Sequence, residues 1–70
     1  MPRKIRELIR DLERAGFVNR GGKGSHRKFQ HPLGVQVTIS GQTGADAHRY
    51  QENDLQEALA EIAKRQQSPP

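Results

Sequence analysis

The sequence predicts one α+β domain in the order α-β-β-β-α, in which two helices cover one face of a three-stranded antiparallel sheet. Two segments, one near each end, repeat apolar residues at helical spacing, and the middle of the chain alternates apolar and polar residues between glycine-rich turns. A length of 70 residues leaves room for a single core. Two apolar helix stripes and one apolar sheet face bury one another when both helices lie on the same side of the sheet.

The first predicted helix runs from Pro2 to Ala15. Its apolar residues recur three and four positions apart, as in a helix with one buried stripe: Ile5, Leu8, Ile9 and Leu12. Gly16 follows, at the position where helices commonly end with a residue of positive φ. We expect the arginines between the apolar positions to form a solvated helix face.

Glycine and proline then divide the chain into three predicted strands, which form an antiparallel meander: Phe17–Arg20, Ser25–His31 and Val35–Ser40. The third strand alternates apolar with polar side chains, so that one face packs on the helices and the other meets solvent. In the second strand we expect Phe29 on the packed face. The same alternation predicts three residues on the open face: His26, Lys28 and Gln30.

A second helix is predicted after a polar loop. Asn53 is the predicted N-cap, with Gln56 three residues further on. The apolar stripe repeats the spacing of the first helix: Leu55, Ala58, Leu59 and Ile62. No local structure is predicted for residues 47–50. The domain is expected to span residues 1–66, followed by a frayed tail over 67–70.

Positive charge is concentrated in the first part of the chain. Residues 1–31 contain nine lysines and arginines and three acidic residues, a net charge of +6, whereas residues 32–70 contain three and five, a net charge of −2. A basic half suits a polyanion such as RNA or DNA, and less well an anionic membrane. A basic protein without a specific ligand is the alternative that charge alone leaves open.

Composition also limits how the domain is stabilised. The absence of cysteine excludes disulfides and thiolate metal sites. With 31% hydrophobic residues the core is small, which leaves a partner or a homo-oligomer as a further source of stability. No apolar run has the length of a signal peptide core or a membrane span, so we expect a soluble, cytoplasmic protein without a membrane partner.

The sequence predicts neither a metal site nor a cofactor. His26, His31 and His48 lack the familiar ligand spacings, and the first two have opposite parity along the predicted second strand. We expect the acidic side chains to be solvated helix charges. The glycine-rich segment 21–25 lacks the P-loop pattern, although its N–H groups can hold a backbone phosphate.

His26 differs from the other histidines in its neighbours, since Lys23, Ser25, Arg27 and Lys28 all lie within three residues of it. Cleavage of RNA without a metal needs a group that exchanges a proton near neutral pH and cations that neutralise the phosphate. Histidine with lysine or arginine supplies both. From the residues alone, a phosphate contact and a catalytic role both stay open for His26.

The segment Gly22–Phe29, preceded by a helix that ends in Ala15-Gly16-Phe17, resembles the HicA toxins of bacterial type II toxin-antitoxin systems. The similarity extends over most of the chain. It implies a fold like the double-stranded RNA-binding domain, whose layout matches the predicted element order. It also implies an mRNA interferase that a HicB-like antitoxin blocks, with His26 as the catalytic residue and Gly24 in the same motif.

The resemblance therefore favours a metal-independent endoribonuclease with His26 as general acid/base. Phosphate contacts are predicted for the neighbours of that residue: Lys23, Gly24, Ser25, Arg27 and Lys28. The alternative is an RNA-binding module of the same fold without catalysis. The chain departs from the family pattern after the third strand, where the loop is longer, and two roles stay open for His48 and Tyr50: substrate contact, or surface and rim packing.

Overall fold

The computed structural model describes residues 3–67. It contains five elements: α1 Ile5–Arg14, β1 Val18–Asn19, β2 Arg27–Gln30, β3 Gln36–Ile39 and α2 Arg49–Gln67. The strands pair antiparallel in the order β1-β2-β3, so the predicted α-β-β-β-α meander is confirmed. Pro2 and residues 68–70 of the predicted tail lie outside the described residues, whereas Gln67 belongs to α2. The first helix is shorter than the predicted Pro2–Ala15, because Lys4 is extended and caps α1 and Arg3 precedes it.

Both helices and one face of the sheet contribute to a single core. Its buried residues are Ile5, Leu8, Leu12, Phe17, Phe29, Val35, Ile39, Ala47, Leu55, Ala58 and Ile62. They include most of the two predicted stripes, whose other members, Ile9 and Leu59, are half-buried against the core. Lys28 and Thr38 pair across the opposite, exposed face of the sheet. Within residues 3–67, neither helix combines the length and the apolar character that crossing a membrane requires.

The loop after β3 caps the start of α1. The first N–H groups of a helix have no partner inside it. Here the Ile5 N–H donates to the Ala45 carbonyl at 2.9 Å and the Arg6 N–H donates to the Thr43 carbonyl at 3.1 Å. The polar loop predicted from its composition is therefore fixed to the domain by hydrogen bonds that connect opposite parts of the chain.

The strands are shorter than predicted. The second strand is Arg27–Gln30 rather than Ser25–His31, because Ser25 and His26 lie in a turn that the His26 N–H closes on the Lys23 carbonyl at 3.0 Å. At its other end, His31 begins the turn to β3 by accepting the Gly34 N–H at 2.8 Å. The first strand is Val18–Asn19 rather than Phe17–Arg20, and the third lacks the predicted end residues Val35 and Ser40.

The second helix begins at Arg49, so the prediction of Asn53 as its N-cap is wrong. The reason is Gln51, whose buried side chain accepts the His48 N–H at 2.8 Å and donates to the Ser40 carbonyl at 2.7 Å. These two hydrogen bonds fix the first turn of α2 to the end of β3. The helix therefore begins at Arg49, six residues before Leu55, the first residue of the apolar stripe from which it is predicted.

His31 is a structural histidine beside the end of α1. It is 7% exposed, and its Nδ1 accepts the Leu33 N–H at 3.0 Å. The ring proton therefore lies on Nε2, which donates to the Ala15 carbonyl at 3.0 Å. The ring also meets Phe17 edge-on, with 5.1 Å between centroids. Gly16, with φ of +100°, ends the helix as predicted and lies against this ring.

We expect His31→Phe to lower the free energy of unfolding by about 2 kcal/mol, because the Ala15 carbonyl and the Leu33 N–H lose their partners in a buried place. Urea denaturation followed by circular dichroism measures the change. His26→Ala, which removes an exposed histidine, should stay within about 0.5 kcal/mol of the unchanged protein. Equal stabilities for His31→Phe and the unchanged protein would contradict the role given to His31.

Candidate active site

The candidate site is the segment that joins β1 to β2. The Arg20 N–H donates to the Lys28 carbonyl at 2.7 Å, and the Lys28 N–H donates to the Gly21 carbonyl at 2.9 Å. Two residues on one side of the hairpin therefore face one residue on the other, which is the arrangement of a β-bulge. Asn19 stabilises this point, since its Oδ1 accepts the Gly21 N–H at 2.7 Å. The bulge ends the regular pairing and starts the glycine-rich loop.

The loop depends on glycine at two positions. Gly24 has φ of +59° in the turn that joins Lys23 to His26, a conformation that other residues adopt with strain. Gly22 lies against the backbone of His26, where an added Cβ would be 2.0 Å from the His26 carbonyl oxygen. The glycines of the motif thus allow the chain to fold closely around the peptide group of His26.

His26 is exposed and precedes β2 by one residue. The sequence predicts it inside the strand, which is wrong, but its place relative to the sheet follows from the register. The ladder ends with Arg27 opposite Ile39, so His26 and Ser40 are the residues next to this last pair at one end of the sheet. Lys28, two residues after His26, belongs to the open face.

The described structure gives Arg27 a role that the sequence does not predict. Its half-buried guanidinium donates to the Ser25 carbonyl at 3.0 Å and to the Gly41 carbonyl at 2.8 Å. These two bonds join the turn before β2, which contains His26, to the loop after β3. Arg27 has the parity opposite to Lys28, so the two cations belong to different faces of the strand.

The open face carries two cations that the hairpin places opposite each other, Arg20 and Lys28. They line a shallow concavity of about 120 Å³ together with polar residues of β2 and β3: Gln30, Gln36 and Thr38. Within residues 3–67 neither Arg20, Lys23 nor Lys28 forms an ion pair with an acidic side chain. Arg20 is absent from the predicted site residues, although its position opposite Lys28 would follow from a bulged hairpin.

A second groove has the opposite charge. It has a volume of about 480 Å³, lies between β3 and α2, and is lined by three carboxylates: Asp54, Glu57 and Glu61. Carboxylates repel phosphate, so this groove does not suit a nucleic acid backbone. Cations therefore line the concavity beside β2 and carboxylates line the groove beside α2, and the two share the β3 residues Gln36 and Thr38.

The three histidines lie in three different environments. His26 is in the turn before β2, His31 is buried beside α1, and His48 is exposed just before α2. The His48 ring stacks on Tyr50, with 5.7 Å between centroids and 12° between planes. Among residues 3–67 no group of three or more histidine, aspartate or glutamate side chains could hold a metal ion.

Comparison of the sequence with models of known protein families finds a match. The family model for the HicA toxin of bacterial toxin-antitoxin systems matches residues 5–63, from the start of α1 to the last turns of α2. This match covers most of the chain. The chain belongs to the HicA toxin family. It is therefore the toxin member of a toxin-antitoxin system, and an antitoxin is its implied partner. The comparison with curated proteins finds no match.

We expect Gly22→Ala to displace the His26 segment of this HicA toxin, because the new Cβ would overlap the His26 carbonyl. Amide chemical shifts should change most over residues 22–28 in a ¹⁵N correlation spectrum. Gly44→Ala is the matched control, since a Cβ at Gly44 meets no atom within 4 Å. Shift changes in 22–28 that are no larger for Gly22→Ala than for Gly44→Ala would contradict the tight packing of the loop.

Proposed function

We propose that this HicA toxin is a metal-independent endoribonuclease that cleaves mRNA in the cytoplasm, with His26 as general acid/base. The observation that supports the proposal most is the position of His26. It is exposed, its segment is held by the glycine turn and the Arg27 bonds, and it precedes a strand on whose open face Lys28 lies opposite Arg20. The resemblance of the glycine-serine-histidine segment to HicA interferases supports the catalytic role.

The proposed reaction needs two proton transfers at one phosphate. The 2′-hydroxyl oxygen of RNA attacks the phosphorus as its proton is removed, and the bond from phosphorus to the 5′-oxygen breaks as that oxygen is protonated. The nucleophile belongs to RNA, so the protein does not form a covalent bond with it. His26 performs one of these transfers, since imidazole can accept or donate a proton near neutral pH.

The loop and the open face supply the charge that the phosphate requires. The backbone N–H groups of Lys23, Gly24 and Ser25 make no hydrogen bond among the described residues, so they are available to phosphate oxygens. Successive free N–H groups in a glycine turn form an anion-binding concavity. The Lys23 and Lys28 side chains add full positive charges. Arg27 contributes by holding the Ser25 carbonyl in place.

The open basic face is also the proposed place of inhibition. A HicB-like antitoxin that covers His26 and the cations would exclude RNA from the site. The alternative function, an RNA-binding module without catalysis, uses the same cations and needs no proton transfer. The two functions differ in whether bound RNA is cut, which a gel assay determines directly.

We expect His26→Ala to lower the rate of RNA cleavage in EDTA by about 100-fold or more, which is the usual size of a general acid/base contribution. The assay uses purified protein and a single-stranded RNA, with fragments separated on a denaturing gel. Arg10→Ala, an exposed change on α1 far from β2 in sequence, is the control that should keep full activity. Equal cleavage by His26→Ala and the unchanged protein would exclude catalysis by His26.

We expect Arg20→Gln and Lys28→Gln each to weaken RNA binding and to make it less dependent on salt. Removing one phosphate interaction with a single strand lowers the slope of log affinity against log salt by about 0.7. The measurement is fluorescence anisotropy of a labelled RNA in the His26→Ala background, so that binding is observed without cleavage. Arg10→Gln removes the same charge from α1 and should leave the slope unchanged. Identical slopes for all three variants would argue against an RNA contact on the open face.

A further inference from the structure

We propose that His48 and Tyr50 form a stacking platform for an unpaired nucleobase of an RNA strand whose phosphate lies at His26. The inference rests on the proposed function, since it assumes that RNA is the substrate. It assigns a base-binding subsite to a pair of residues outside the glycine-serine-histidine segment. The RNA class it selects is single-stranded, because a base inside a helix is already stacked on its neighbours.

The two rings are exposed and already arranged as a platform. Tyr50 is 57% exposed, whereas Phe17 and Phe29 are 3% and 1% exposed in the core. The tyrosine ring lies nearly parallel to the His48 imidazole, with 12° between the planes. More than half of Tyr50 is therefore accessible to a ligand. Proteins that bind single strands use such exposed aromatic faces to stack bases.

The platform is held in position by hydrogen bonds and not by its own ring contact alone. Gln51 accepts the His48 N–H and donates to the Ser40 carbonyl, and its side chain is only 2% exposed. One residue earlier, the Ala47 N–H donates to the Arg3 carbonyl at 2.7 Å. The backbone on the N-terminal side of the rings is thus fixed to β3 and to the start of α1. A ligand that binds here loses little free energy in ordering the protein.

The platform and His26 lie at the same end of the sheet. Gln51 joins the first turn of α2 to the carbonyl of Ser40, which follows β3, and His26 precedes β2, whose first residue Arg27 pairs with Ile39 at that same end. An RNA strand that crosses from His26 over the end of β3 therefore approaches the two rings.

Charge at the platform also permits RNA. Arg49, between the two aromatic residues in sequence, is exposed and makes no ion pair within residues 3–67. The nearby carboxylate of Asp46 is paired with Lys4 at 2.6 Å, which reduces its repulsion of phosphate. Two acidic groups remain close to the platform in sequence: Glu52, half-buried in the first turn of α2, and Asp54, which is exposed four residues after Tyr50 and lines the acidic groove.

The chain allows a direct test, because Tyr50 is its only tyrosine and it contains no tryptophan. Tyrosine fluorescence of the His26→Ala variant therefore reports on the platform while RNA stays intact. We expect a saturable change in this fluorescence on titration with a short single-stranded RNA. A ribose-phosphate oligomer of the same length without bases should give a much smaller change.

Affinity measurements complete the test. Tyr50→Ala in the His26→Ala background should bind the RNA about tenfold more weakly, as expected for the loss of one stacked base. Tyr50→Phe keeps an aromatic face and should keep most of the affinity. Gln56→Ala, an exposed change further along α2, is the control that should bind normally. Fluorescence of the native Tyr50 gives a result even if Tyr50→Ala does not fold.

The outcomes separate the platform from the proposed function. RNA that is bound and cleaved, with no change in Tyr50 fluorescence and equal affinity for Tyr50→Ala, overturns the platform and leaves the endoribonuclease intact. An equal response to the base-free oligomer also overturns it, since phosphate alone would then explain the signal. A chain that neither binds nor cleaves RNA overturns both proposals.

Discussion

Burial of one face of the sheet beneath both helices is the constraint on which the rest of the structure depends. The chain has few apolar side chains, and most of the large ones among the described residues lie between the sheet and the helices. Strand alternation then leaves the other face polar, because neighbouring residues point to opposite sides. Phe29 is buried and Lys28 is exposed for this single reason. The position of the core thus determines which face of the sheet is open to solvent.

Because the core is small, hydrogen bonds between elements contribute a larger part of what holds the fold together. A domain of this size buries a smaller share of its surface than a larger one does. Three buried or half-buried side chains bind backbone carbonyls at the ends of elements: Arg27, His31 and Gln51. Within the part of the chain that the structure describes, no buried side-chain nitrogen or oxygen is without a hydrogen-bond partner. These links fix the loops around His26 as well as the fold itself.

Positive and negative side chains line two different concavities of the molecule. The cations of the open face, Arg20 and Lys28, lie beside the segment of His26, and the carboxylates of α2 line a different groove. A phosphate backbone is attracted to the first surface and repelled by the second. In the proposed function, RNA and the antitoxin compete for the basic surface, so inhibition needs no change of fold.

The element order, the apolar stripes of both helices and the inward position of Phe29 follow from the sequence, because periodic patterns report which side of an element is buried. The segment that contains His26 also points to the family. The start of α2 and the carbonyl contacts of His31 and Arg27 are visible only in the folded chain. Those features depend on hydrogen bonds between segments that are distant in the chain. Such bonds produce no repeating pattern of apolar and polar residues from which they could be predicted. Gln51 illustrates this, since nothing around it in the sequence indicates that its partner is the carbonyl at the end of β3.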